Sequence, residues 1–186
     1  MSTLDHALFA ALNHGWTNGV LDAVMPVVSN WRSWGLLLAV AAVALALRGG
    51  RVGRQALLAL VLSIGIGDAV ASQLIKPLVH RPRPCHALSD ARVVGRCGGR
   101  NGFPSNHATN VGSATAVLGT FYPASLAITA PVALLVGWSR IYLGAHYPAD
   151  VVAGYFLGGL VGVGIARLCR RIGAQPLPDG QPSSTL

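Results

Sequence analysis

Residues 55–75, QALLALVLSIGIGDAVASQLI, indicate the class of fold to which this chain belongs. Asp68 is the one charged side chain among the 21 residues of this stretch. A helix of about 20 apolar residues crosses the hydrocarbon core of a bilayer. We therefore interpret the stretch as a membrane-spanning helix, in which a lone acid is energetically costly and is expected to be paired or functional.

The composition of the whole chain agrees with this interpretation. Of the 186 residues, 52% are hydrophobic and 11% are charged, whereas soluble domains carry about 25% charged residues. The mean hydropathy is +0.53. The net charge of +8 comes from basic residues between apolar runs, but nucleic-acid binding requires a solvated basic face. Membrane lipids and a phosphorylated lipid are therefore the expected partners, and nucleic acid is not.

Five apolar stretches have about the length of a membrane-spanning helix. They cover residues 31–47, 55–75, 105–122, 125–143 and 149–169. Their abundant glycines suit the close packing of helices in lipid. The sequence therefore predicts an all-α fold: a polytopic membrane helix bundle of about five transmembrane helices, forming a single domain over residues 1–173.

The two ends of the chain differ from these stretches. Leu4, Leu8 and Leu12 recur every four residues, which predicts amphipathic helices in residues 1–30 that lie at the membrane surface. A sixth crossing helix is the alternative for this segment. Residues 174–186 are rich in proline, glycine and serine, and we expect them to form a disordered tail.

Arginines predict the orientation of the bundle. The clusters at residues 48–54 and 167–171 fall on the same side of five alternating helices, and the positive-inside rule makes that side cytoplasmic. The loop at residues 76–104 then faces outward, as expected for a bacterial inner-membrane protein with its active site towards the periplasm. This loop holds six basic residues of its own, which opposes the orientation unless those residues bind an anion.

The outward loop also contains Cys85 and Cys97, which lie twelve residues apart. An oxidising compartment would permit a disulfide between them. A bond closing a loop of this size contributes about 3 kcal/mol in the chain-entropy model. Two free thiols are the alternative.

Polar residues concentrate in three short segments. These are KPLVHRPRP at 76–84, FPSNH at 103–107 and SRIYLGAHYPAD at 139–150. Alternation of five helices brings all three to the outer face of the membrane. The sequence therefore predicts that they form one site.

The residue types in these segments suit a phosphate group. Lys76, Arg83 and Arg140 offer charge-assisted hydrogen-bond donors, and the arginine fork matches phosphate oxygens. Ser105 is expected to cap the helix that follows Pro104, which leaves the backbone N–H of Asn106 free to bind an anion. We interpret these five side chains or backbone groups (Lys76, Arg83, Ser105, Asn106 and Arg140) as the phosphate-binding set.

Two histidines and an aspartate add a catalytic possibility. His146 and Asp150 are four residues apart, and Pro148 suits the first turn of the helix that follows. Asp150 would orient the imidazole so that its other nitrogen attacks phosphorus. His107 would protonate the departing oxygen as general acid. This scheme needs neither a metal ion nor a cofactor.

The three segments together resemble the motifs of the type 2 phosphatidic acid phosphatase family. They fit Lys-x6-Arg-Pro, Pro-Ser-Gly-His and Ser-Arg-x5-His-x3-Asp in order and spacing, over residues 76–150. The resemblance implies a membrane enzyme that removes phosphate from lipid phosphates or diphosphates, with the same roles for the residues named above. One departure is Asn106, where the family usually has glycine, so the fit of substrate at that position is open.

Several questions stay open at this level. Polyprenyl diphosphate, lipid A 1-phosphate, phosphatidylglycerol phosphate and phosphatidic acid are all candidate substrates, and transfer of the phosphoryl group to another lipid is an alternative to hydrolysis. A non-catalytic protein that binds or translocates a lipid phosphate is the other class, although it would not need both histidines. Asp68 and Ser72 share a helical face with Lys76 and either approach the site or form a buried structural pair.

Overall fold

The computed structural model describes residues 3–174, and about four fifths of them are helical. The helices are α1 Thr3–His14, α2 Gly19–Ser29, α3 Trp31–Arg48, α4 Gly50–Ala69, α5 Lys76–Val79, α6 Pro84–Ala87, α7 Asn106–Phe121, α8 Leu126–Tyr142 and α9 Pro148–Ala174, with a π-helical segment at Val70–Ile75 and a 3-10 turn at Pro123–Ser125. No strand occurs within residues 3–174; one isolated bridge joins Pro82 to Asn101. The predicted all-α class is confirmed. The predicted tail lies outside the described residues except Ala174, which ends α9.

The five predicted bundle helices all form. Within the described range, four stretches are long and apolar enough to cross a membrane: residues 31–48, 50–79, 123–142 and 148–172. Helix α7 has 16 residues, which corresponds to about 24 Å at 1.5 Å per residue. It packs against α4, α8 and α9, so it lies inside the bundle. Because neighbouring helices shield it from lipid, it can bury Thr109 and Ser113 and needs less apolar surface.

The two N-terminal helices are short and lie at one end of the bundle. Helix α1 has 12 residues and α2 has 11, fewer than the roughly 17 needed to cross a bilayer. Leu4 and Leu8 of α1 are 65% and 44% exposed, whereas Asp5 and Asn13 are 6% and 0% exposed. Helix α1 therefore turns Asp5 and Asn13 into the protein and Leu4 and Leu8 outward, as an interfacial helix does.

Helices α7 and α9 approach each other closely along a row of glycines. A Cβ at Gly154 would lie 2.6 Å from the Ser105 carbonyl oxygen, and one at Gly158 would lie 2.1 Å from that of Thr109. The Ser113 hydroxyl donates to the Gly158 carbonyl at 3.2 Å. Small residues every four positions allow such contact in membranes. This packing holds the start of α7 against the start of α9, where the predicted site residues lie.

The loop of residues 76–104 folds back over the same end. Cys85 and Cys97 are joined by a disulfide. The backbone N–H of Arg83 donates to the Arg100 carbonyl at 3.0 Å, and that of Gly102 donates to the Arg81 carbonyl at 2.7 Å. The two arms of the loop are thereby paired, which fixes Arg83 relative to the ends of α7 and α9.

Candidate active site

His146 and Asp150 lie at the junction of α8 and α9. The residues between the helices, 143–147, form a tight buried turn, and α9 begins at Pro148 as the sequence predicts. His146 is 1% exposed and Asp150 is fully buried. The Nδ1 atom of His146 faces Asp150 Oδ2 at 3.5 Å. That distance exceeds a hydrogen bond, so the carboxylate faces the ring across a short gap.

Arg83 fixes the tautomer of His146. Its Nη1 atom lies 2.6 Å from His146 Nε2. A guanidinium can only donate, so Nε2 carries the lone pair and Nδ1 carries the hydrogen that points towards Asp150. Burial, followed by the charges of Arg83, Arg140 and Lys76, lowers the pKa of His146 well below its usual 6.5. The imidazole is therefore neutral, with its basic nitrogen among cations.

Lys76 and Ser105 anchor the neighbouring wall of the site. The π-helical segment that ends α4 leads directly into Lys76, whose Nζ donates to the Pro104 carbonyl at 2.5 Å. Ser105 is the N-cap of α7, accepting from the Ala108 N–H at 3.5 Å. Its own N–H donates to the Asp150 carbonyl at 2.9 Å. The predicted cap thus forms, and it ties the start of α7 to the first turn of α9.

The side chain of Asn106 points into the bundle. Its amide donates to Asp68 Oδ1 at 2.7 Å and to Ser72 Oγ at 2.5 Å. Asn110 donates to the same Asp68 oxygen at 3.4 Å. Asp68 and Ser72 therefore bind the side-chain amide that Asn106 carries where the family usually has glycine. The first-turn N–H groups of α7 have no partner inside the helix, so the backbone can still meet an anion.

Arg140 and His107 meet at the last residue of α2. Arg140 donates through Nη1 to the Ser29 hydroxyl, and the His107 ring hydrogen-bonds to the Ser29 backbone. Ser29 is 6% exposed. The end of α2 therefore positions one predicted cation and the predicted general acid. No sequence motif marks Ser29, which lies in an apolar segment.

Arg81 and Asp5 also lie at the site, although no sequence motif links them to it. Arg81 Nη1 donates to Asp150 Oδ1 at 2.8 Å, and its Nη2 pairs with Asp5. The sequence places Arg81 beside the phosphate set, but its acidic partners lie 69 and 76 residues away along the chain. Local spacing cannot reveal such pairs.

An open cavity of about 380 Å³ adjoins the site within the loop of residues 76–104, and it is lined by His86, Gly98 and Arg100. A Cβ at Gly98 would lie 3.9 Å from the guanidinium carbon of Arg83. His86 Nε2 lies 3.1 Å from the Gly98 carbonyl oxygen. His86 and Arg100 therefore place basic groups near Arg83, which contacts His146.

The fold and the charge of this end define a class of protein: a helical membrane bundle with a buried histidine among lysine and arginine side chains. Comparison with known families is more specific. The sequence pattern of the PAP2 superfamily matches residues 56–173, and the chain belongs to this superfamily. The resemblance drawn from the three sequence segments is thereby confirmed.

Individual relatives are phosphatases of lipid substrates. Lipid A 4'-phosphatase of Bacteroides thetaiotaomicron is 38% identical over 111 residues, which cover 56% of this chain and 49% of that protein. Decaprenylphosphoryl-5-phosphoribose phosphatase of Mycobacterium tuberculosis is 41% identical over 106 residues, with 54% and 56% covered. The chain thus spans about half the length of the curated relatives it matches.

Solved structures share the fold over most of their length. LpxE of Aquifex aeolicus superposes with a TM-score of 0.74 at 25% identity, covering 89% of this chain and 96% of that chain. The PAP2-type phosphatidylglycerolphosphate phosphatase of Bacillus subtilis superposes with a TM-score of 0.70 at 23% identity, covering 91% and 86%. The second similarity is one of fold alone.

Proposed function

We propose that this chain is a membrane lipid phosphatase that hydrolyses a phosphomonoester or diphosphate through a phospho-histidine intermediate. The observation that carries the proposal is the state of His146. Its Nε2 lone pair faces Arg83 at 2.6 Å while Nδ1 is turned to Asp150. A neutral imidazole with a basic nitrogen among fixed cations is a suitable nucleophile for phosphorus.

In the first step the substrate phosphate displaces His146 from Arg83. Arg83, Arg140 and Lys76 bind the phosphate oxygens, and Nε2 attacks phosphorus as the bond to the leaving oxygen breaks. His107 donates a proton to that oxygen, and the dephosphorylated lipid departs. The carboxylate of Asp150 stabilises the positive charge that develops on the ring of His146.

In the second step water replaces the lipid. His107, now neutral, accepts a proton from the water as its oxygen attacks phosphorus. The phosphorus–nitrogen bond breaks, which returns its electron pair to Nε2 and releases inorganic phosphate. The same cations stabilise the charge in both steps, because the transferring group keeps its position.

The relatives support a substrate with a phosphate on a lipid body. Those named above act on lipid A and on a decaprenyl-linked phosphoribose, and a relative from Sulfolobus acidocaldarius is an undecaprenyl-diphosphatase. The site lies at the end of the bundle opposite Arg170, whose Nη1 donates to the Thr120 carbonyl at the far end of α7. With the basic end cytoplasmic, the active site faces outside.

Phosphate release from purified protein tests the proposal. Phosphatidic acid, phosphatidylglycerol phosphate, lipid A and a polyprenyl diphosphate are assayed with excess EDTA, and at least one is expected to release phosphate. His146→Ala should release none, while His14→Ala, at an exposed position of α1, serves as the control. Alkaline quenching of ³²P-labelled substrate should trap label on the wild type and not on His146→Ala. Undiminished turnover by His146→Ala would refute the nucleophile.

A further inference from the structure

We propose that Asp5 and Arg81 are a positioning pair for the His146–Asp150 couple, through which helix α1 sets the reactivity of the nucleophile. The proposal rests on the function proposed above. Neither residue belongs to the phosphate-binding set, and neither contacts the reacting nitrogen of His146. Their influence would be exerted through the carboxylate of Asp150.

The orientation of Asp150 depends on Arg81. One carboxylate oxygen, Oδ1, accepts from Arg81 Nη1 at 2.8 Å. The other, Oδ2, accepts from the backbone N–H of Tyr147 at 3.0 Å and faces His146 Nδ1. With both oxygens engaged, the plane of the carboxylate is fixed. Loss of the Arg81 bond would allow the group to rotate away from the imidazole.

Arg81 is in turn held by α1. Its Nη2 pairs with the Asp5 carboxylate, and its guanidinium carbon lies 4.4 Å above the ring of Tyr147. The arginine side chain is 14% exposed. Two carboxylates share one guanidinium, so Arg81 is already neutralised and is kept out of the phosphate-binding set.

Asp5 also acts on the helix that carries Asp150. Its Oδ1 accepts from the backbone N–H of Ala149 at 2.9 Å, in the first turn of α9. At the other end of α1, Asn13 donates to the carbonyls of Ile141 and Tyr142 at 3.2 and 2.9 Å. Helix α1 therefore spans the turn that contains His146 and is bonded on both sides of it.

The test is a set of substitutions with a matched control. Asp5→Asn keeps an oxygen for the Ala149 N–H and removes the charge that holds Arg81. Asp22→Asn is the control, because Asp22 pairs α2 with Arg92 of the outward loop and does not contact Asp150. We expect Asp5→Asn to lower kcat about 10- to 100-fold, as small displacements of reacting groups do. KM should stay within about twofold, since the phosphate-binding set is unchanged.

A double-mutant cycle separates positioning from general stability. In an Asp150→Asn background, Asp5→Asn should cost less than about twofold in kcat, because the group through which it acts has lost its charge. Arg81→Lys should recover part of the activity that Arg81→Met loses. The proposal would be overturned if Asp5→Asn lowered kcat equally in the wild-type and Asp150→Asn backgrounds. It would also be overturned if Asp5→Asn and Asp22→Asn lowered kcat equally.

The two proposals fail in different ways. If His146→Ala keeps its activity, the proposed nucleophile is wrong whatever Asp5 does. If His146→Ala is inactive and Asp5→Asn behaves like Asp22→Asn, the positioning pair alone is wrong. The thermal midpoint of each purified variant shows whether it is folded. If Asp5→Asn fails to fold, the activities of Arg81→Lys and Arg81→Met are compared instead, because only the lysine keeps the positive charge.

Discussion

The close contact between α7 and α9 predicts how alanine at two adjacent glycines changes the free energy of unfolding. A Cβ added at Gly158 would lie 2.1 Å from the Thr109 carbonyl oxygen and 2.8 Å from the Ser113 nitrogen. One added at Gly159 meets nothing within 4 Å. Gly158→Ala should therefore force the helices apart. Gly159→Ala is the same substitution in the same helix and should not.

The magnitude follows from the geometry. An ordinary contact needs about 3.4 Å, so α7 must retreat by roughly 1 Å near Thr109. Overpacking of this kind costs about 1–3 kcal/mol, and the bond from Ser113 Oγ to the Gly158 carbonyl is lost as well. Alanine's better helix propensity returns up to about 1 kcal/mol at either position. Because this gain is the same at both positions, the free energies of unfolding of the two variants should differ by the overpacking cost plus about 1 kcal/mol for the lost hydrogen bond, which is about 2–4 kcal/mol.

Reversible unfolding in mixed detergent micelles, titrated with dodecyl sulfate, measures this difference. Turnover is measured on the same preparations, because Gly158 lies one turn from Gly154, which packs on the Ser105 carbonyl beside the site. We expect Gly158→Ala to lose both stability and activity and Gly159→Ala to lose neither. Unfolding free energies that agree within about 0.5 kcal/mol would refute the claim that this close approach is required.

Two further predictions concern the site and its loop. Protonation of His146 removes the attacking lone pair, and its pKa lies well below 6.5 because of burial and the nearby cations. The acid limb of kcat/KM, corrected for titration of the substrate, should therefore fall below pH 6.5, and a midpoint at or above that value would contradict the neutral buried imidazole. Arg100→Ala should change relative kcat/KM among lipids of different headgroup, because Arg100 lines the cavity beside Arg83. Arg96→Ala, an exposed arginine of the same loop, should leave that ranking unchanged, and equal effects of the two would remove the cavity from substrate selection.

Features set by local chemistry were predictable from the sequence. Ser105 caps α7 and Pro148 begins α9, because capping and proline geometry depend on a few neighbouring residues. The length of the apolar stretches predicted the ends of the bundle helices to within five residues. Since helix alternation fixes which ends of the helices meet, the gathering of the three polar segments at one end also followed.

Contacts between distant segments were not predictable. The pairing of Asp5 with Arg81 depends on how α1 lies across the bundle, and the same polar residues would suit a helix facing water. The Asn106 side chain is directed to Asp68 by the π-helical segment and the packing of α4 on α7. Such contacts are chosen by tertiary packing, for which a single sequence carries no periodic signal.

The bond between Asp5 and Ala149 joins residues 144 positions apart and has a consequence for biosynthesis. Asp5 is synthesised long before its partner, which follows only when α9 is made. Helix α1 therefore cannot make this contact while the intervening helices are being made. Asp5, His146 and Asp150 can be aligned only once the first turn of α9 has formed. A chain released before that point would lack the bonds that orient the proposed nucleophile.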